Sequence, residues 1–178
     1  MYSGSSAEKR IALIPRVIVA TRMGPSEYAL LVTDRRSILV LEKSSKAGLA
    51  GAVGGAIGAA IAQAAATRKS FDYENENLES FAINPKNLVI PHDSLEMIQM
   101  KKAFLNPVYR MKLRYQAPNN KSKKINAFLR PPGEHVKQKK QEGGKGKQIH
   151  YDYAKKVQDV YKQALSPPRY ESVVSSRL

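Results

Sequence analysis

The side chains able to carry chemistry are few and badly spaced for it. His92, His135 and His150 lie far apart, and none sits in an H-x-x-x-H spacing that would turn two imidazoles toward one metal. Glu74 and Glu76 are two apart in a polar turn, which does not make a carboxylate pair for acid–base work. The chain has no Cys, which excludes a thiol nucleophile, a Cys-ligated zinc and a disulfide scaffold. Nothing resembles a nucleophile beside its base. The residues therefore predict no catalytic site, metal or cofactor. The glycines of Gly51-x-x-Gly54-Gly55-x-x-Gly58 lack the G-x-G element and the βαβ setting of a dinucleotide loop.

What the chain does carry is positive charge. Its 178 residues hold 30 Lys+Arg against 15 Asp+Glu, a formal net charge of +15 with a sequence pI near 10.0. Such a balance selects anionic partners: nucleic acid, an acidic membrane surface or an acidic protein. The charge is uneven. Residues 1–89 have 11 basic and 8 acidic side chains, residues 90–178 have 19 and 7.

The sharpest concentration is in the run VYRMKLRYQ at 108–116. Tyr109, Met111, Leu113 and Tyr115 alternate with Arg110, Lys112 and Arg114, so a strand would put the apolar set on one face and the three cations on the other. Successive cations would then stand about 7 Å apart and repel one another without an anion. The turn 117–122 and the run KKINAFL at 123–129 complete a hairpin. Lys121, Lys123, Lys124 and Arg130 extend its positive field, followed by Lys139 and Lys140. These residues are the candidate anion-binding set. Tyr109 and Tyr115 fall on the apolar face, which weighs against base stacking.

The elements that must position this hairpin are mostly strands. RVIVA (16–20), YALLVT (28–33) and SILVL (37–41) are β-prone, and Asp34-Arg35-Arg36 makes a hairpin break between the last two. Residues 71–73, 81–83, 88–90 and 94–101 are further short candidates. The run 150–165 places Tyr153, Val157, Val160, Tyr161 and Ala164 on one stripe of an amphipathic helix, ended by Ser166-Pro-Pro168. Residues 1–10 read as a flexible arm, 131–148 as a basic flexible loop and 166–178 as a tail, around a single domain spanning 11–165.

One segment stands apart. Residues 47–66 contain a single polar side chain, Gln63. Leu49, Val53, Ile57 and Ile61 recur every four residues beside a second row, Gly51 and Gly55, with Gly58 adjoining. The period predicts an inserted helix with a ridge of large residues beside a groove of small ones. Three roles remain open for it: packing on the chain's own sheet or a flexible Gly-rich loop, self-association or shallow membrane contact, and a true span, for which Ala and Gly add little transfer energy.

The phrase YALLVTDRRSILV at 28–40, with a strand ending in Thr-Asp before Arg-Arg and another apolar strand, resembles the PH-like superfold, closest to its GRAM and prokaryotic PH-like branches. The phrase IPHDSLEMI at 90–98 is similar to a later strand of those families, and the 153–165 helix sits where their capping helix would. The resemblance spans about residues 10–45 and 68–165 and implies a mainly β, α+β fold. About seven antiparallel strands would form a barrel capped by a C-terminal helix. Lipid-binding PH domains place a Lys and a K/R-x-R pair around the first hairpin. Arg16, Arg22, Arg35 and Arg36 are near it here without that spacing, so stereospecific phosphoinositide recognition is not implied.

The expected function is a non-enzymatic, cytoplasmic module docking peripherally on an anionic surface, most simply acidic phospholipid. The hairpin would supply charge and residues 47–66 apolar contact. The alternatives are a nucleic-acid or ribosome-binding protein using the Lys-rich 121–147 region, and an adaptor that forms homo-oligomers through the Gly/Ala segment.

Overall fold

The computed structural model describes residues 7–21, 24–44, 71–104, 106–176 and 178. The chain is mainly β with helices packed on the sheet. Strands β1 (Arg10–Thr21), β2 (Gly24–Thr33) and β3 (Arg36–Ser44) form a meander. Helix α1 (Leu78–Ile83) follows, then β4 (Leu88–Pro91), a short 3-10 turn at His92–Ser94, and β5 (Leu95–Lys102). Strands β6 (Tyr109–Gln116) and β7 (Ser122–Leu129) precede α2 (Gly133–Gln141), α3 (Gly146–Ala164), α4 (Pro167–Val173) and β8 (Val174–Ser176).

All eight strands belong to one sheet in the order β4-β3-β2-β1-β7-β6-β5-β8. Its centre is the antiparallel pairing of β1 residues 17–19 with β7 residues 127–129. Within each half the strands β1–β2–β3–β4 and β5–β6–β7 pair antiparallel; short connections join all of these neighbours except β3 and β4, which residues 45–87 separate. The eighth strand departs from the expected seven: it pairs parallel with β5, setting Ile98 opposite Val174, and covers what would be a free edge.

The inner faces of both halves meet in one core with α3 laid across it. Leu30, Leu39, Ile98, Met111, Leu113 and Tyr161 are each no more than 1% exposed there. The expected stripe of α3 is the one it buries: Tyr153, Val157, Val160, Tyr161 and Ala164, joined by Ile149 and Ala154. A second apolar cluster lies on the other side of β2 and β3, where Leu31, Ile38 and Val40 meet Phe81. Phe71, Tyr73 and Phe81 pack ring against ring with centroids 5.4–5.9 Å apart. The Arg10 guanidinium ties this flap to β1 through the carbonyls of Tyr73, Glu74 and Glu76, and Tyr73 donates to Glu42 at 3.0 Å.

Several segments differ from their sequence expectation. Residues 71–73 and 81–83 are not strands. Asp72 holds a turn by accepting from the Glu74 and Asn75 amides, and Asn77 caps α1 by accepting from the Glu79 amide. The loop expected at 131–148 contains α2 and the first turn of α3. Gly143, at φ 84°, ends α2: its amide and that of Gly144 return to the Lys140 and Lys139 carbonyls at 3.0 and 2.8 Å. A Cβ on Gly144 would come within 2.7 Å of the Lys139 carbonyl oxygen. The paired glycines are thus a helix stop. Likewise, the prolines after α3 both end that helix and open α4, where Pro167 occupies a position whose amide needs no partner. The tail is consequently a helix and a strand. The expected arm also has order at its end. Glu8 pairs with Arg36 at 2.7 Å, and Lys9 and Asp34 exchange two 3.0 Å bonds.

The 47–66 insert, with Leu49, Gly51, Val53, Gly55, Ile57, Gly58 and Ile61, lies outside the described residues. Among the described residues no helix is long and apolar enough to cross a membrane.

Candidate functional site

The period-two pattern of β6 folds as its residues dictate. Tyr109, Met111, Leu113 and Tyr115 are buried, while Arg110 and Arg114 are exposed and Lys112 is half-buried. The cross-strand register then builds a face wider than the hairpin. Lys101 of β5 stands opposite Arg110, Gln99 opposite Lys112, and Met97 opposite Arg114. From β7, Phe128 stands opposite Arg110, Asn126 opposite Lys112, and Lys124 opposite Arg114. The outer face of β5–β7 thus carries Lys101, Arg110, Lys112, Arg114 and Lys124, and among the described residues Lys101, Arg110, Arg114 and Lys124 are exposed there.

Two of these pairings set like charges directly opposite, Lys101 with Arg110 and Arg114 with Lys124, an arrangement that costs stability. The face relieves part of that cost internally. Arg114 Nε bonds Glu96 at 2.9 Å, where both side chains remain substantially exposed and the pair is worth little. Arg110 lies over the Phe128 ring at 5.2 Å from its centroid. Among the described residues, neither Lys112 nor Lys124 has an ion-pair partner.

Not every expected residue joins this face. Lys121 is exposed in the β6–β7 turn, where Asn120 takes a positive φ of 58° that asparagine tolerates well. Lys123 pairs with Tyr115 and so has inward parity; it reaches solvent only because the core ends there. Arg130 is half-buried, and burial, then the neighbouring Arg16 charge, lowers its pKa, with Glu27 opposing. Lys139 and Lys140 belong to α2, where Lys139 pairs with Glu142 at 2.8 Å. Three predicted cations on one strand and one on its partner are therefore assembled, and five are dispersed. Lys101 was missed. Its signal was the last position of the 94–101 strand, which only the β5–β6 register brings beside Arg110.

The histidines are placed by packing. His92 is 5% exposed, its Nε2 3.1 Å from the Ser37 hydroxyl, which lies 3.2 Å from the Tyr161 hydroxyl. Burial lowers the His92 pKa to about 4 and raises that of Tyr161 to about 12. This Ser–His contact has the reach of a nucleophile and base, but Ser37 is wholly buried, so no substrate meets it. Burial, then the Arg130 charge, also lowers the His150 pKa. Among the described residues, no group of three or more His, Asp or Glu side chains could hold a metal.

No family model matches this chain, and no curated protein matches it. Among solved structures, the hSac2 domain from human phosphoinositide phosphatase Sac2 is similar over 97% of this chain and 79% of that one. The TM-score is 0.46 and the identity 10%, too distant to carry an argument about fold or function.

Proposed function

We propose that this chain is a non-enzymatic, PH-like docking module that settles on an acidic phospholipid surface through the outer face of β5–β7. One observation carries the reading: five cations share that face, two pairs of them directly opposed, against the single carboxylate Glu96. A surface that places like charges together lowers its free energy when an anionic layer supplies the missing counter-charge, and each Lys or Arg close to such a layer contributes about 1 kcal/mol. The PH-like part of the reading is supported by the two meanders joined through β1 and β7 with α3 across their core. Nucleic acid is the competing ligand. Stacking needs an open ring, and the ring on this face, Phe128, is half-buried and lies under Arg110.

The test is flotation of nuclease-treated protein with phosphatidylcholine vesicles, with and without phosphatidylserine, at about 0.15 M salt. Binding to the acidic vesicles alone is expected, and its loss in an Arg110→Gln/Lys112→Gln/Arg114→Gln variant, which keeps long side-chain stems on the strand. Failure to float on either, with tight salt-sensitive binding to RNA, would transfer the face to phosphate backbones.

A further inference from the structure

We propose that Phe104, just beyond the end of β5, is a membrane-inserting tip that enters the acyl-chain boundary of an acidic bilayer. The proposal rests on the docking reading above and deepens it by naming the apolar anchor within the described residues.

Phe104 is 85% exposed, the most exposed large hydrophobic side chain among the described residues. An aromatic side chain in that position gains nothing from the fold. The residues flanking it are nevertheless held by the fold. Ala103 and Val108, on either side, are 6% and 5% exposed. The Ala103 amide donates to the Val108 carbonyl at 2.8 Å, and the Val108 amide donates to Asn106 Oδ1 at 3.1 Å. These bonds hold the flanking residues in the fold while the Phe104 ring faces solvent.

The surroundings match an anionic layer. Phe104 shares an open groove with Lys102, Asn106, Pro107 and Lys147, with no acidic side chain in its lining. Lys101, one residue further along β5, faces Arg110 and joins this groove to the basic face. Lysine stems can lie along an apolar body while their ammonium groups stay at headgroup level, so a ring at the tip and lysines behind it fit the two layers of a bilayer boundary. One apolar insertion or one basic patch alone binds membranes weakly, and the pair together binds stably. A single projecting ring is a poor platform for a nucleic-acid strand, which uses several rings along a groove.

The chain contains no Trp, so Phe104→Trp installs a single tryptophan, which can be excited selectively beside the nine tyrosines. With phosphatidylcholine–phosphatidylserine vesicles its emission should shift to the blue and be quenched by brominated acyl chains, and neither should occur with phosphatidylcholine alone. Phe104→Ala should weaken vesicle binding about tenfold and leave the thermal melt unchanged, because the ring touches little of the fold. Flotation of both variants like the parent, with unshifted emission, would overturn the tip and leave the basic face standing. Failure of the parent to float would instead remove the docking reading, and the tip with it. A blue shift on single-stranded RNA in place of vesicles would make Phe104 a stacking residue and also overturn the proposal.

Discussion

At the scale of single residues, the groups that looked most like chemistry are structural. His92 bridges β3 and α3 through Ser37 and Tyr161, and its ring is uncharged because burial disfavours the imidazolium. That has a pH consequence. Above the ordinary histidine value of 6.5 both folded and unfolded states hold His92 neutral, and its contribution to stability is complete. Between 6.5 and about 4 the unfolded chain takes up a proton that the folded one refuses, so stability falls with pH. Below about 4 the loss levels off near 3 kcal/mol. Urea unfolding at pH 7, 5.5 and 4.5 should show this slope, and His92→Gln should flatten it; an unaltered slope would mean that other groups carry it. Arg169, in contrast, gave no signal in the sequence. Its guanidinium collects the carbonyls of His92, Asp93 and Leu95, fastening α4 to the turn before β5. Such a nest of backbone acceptors comes from the fold and from no local spacing.

At the scale of elements, legibility followed burial. β6 and α3 were readable because each is split between core and solvent, so its period is written in side-chain type. α2 buries no residue among its nine, so composition could only suggest a loop. What makes it a helix is its glycine stop and its packing on α3. The flap 71–83 was misread for the opposite reason. Its aromatic residues belong to an apolar cluster, which composition alone renders as strand. Phe81 is 2% exposed at the centre of that cluster. Phe81→Ala should therefore cost about 3–5 kcal/mol in chemical denaturation, more than a surface change in α1. A loss below about 1 kcal/mol would mean that the flap is a loosely attached cover. The basic face was half legible: β6 showed its cations, but Lys101 joined them only through cross-strand register.

At the scale of the whole molecule, charge and shape are both lopsided. One half of the sheet has the aromatic flap over its outer side, and on the other half, among the described residues, the cations of β5–β7 have no such cover. A net charge of +15 works against the compact state. Raising salt from 0.01 to 0.1 M shortens the screening length from about 30 to about 10 Å. The melting temperature should rise over that range while vesicle affinity falls; movement of both in one direction would argue against a surface held together by like charges. The same sheet also constrains how the protein is made. Its central seam joins residues 17–19 to 127–129. At ribosomal speeds of about 5–20 residues per second, β1 must wait roughly 5–20 s for β7 to be synthesised. During that interval β2, β3 and β4 can assemble on one side of β1, while its other edge stays open to any passing strand. The order of synthesis thus leaves an unfinished half-sheet with one open edge until residue 129 has left the exit tunnel.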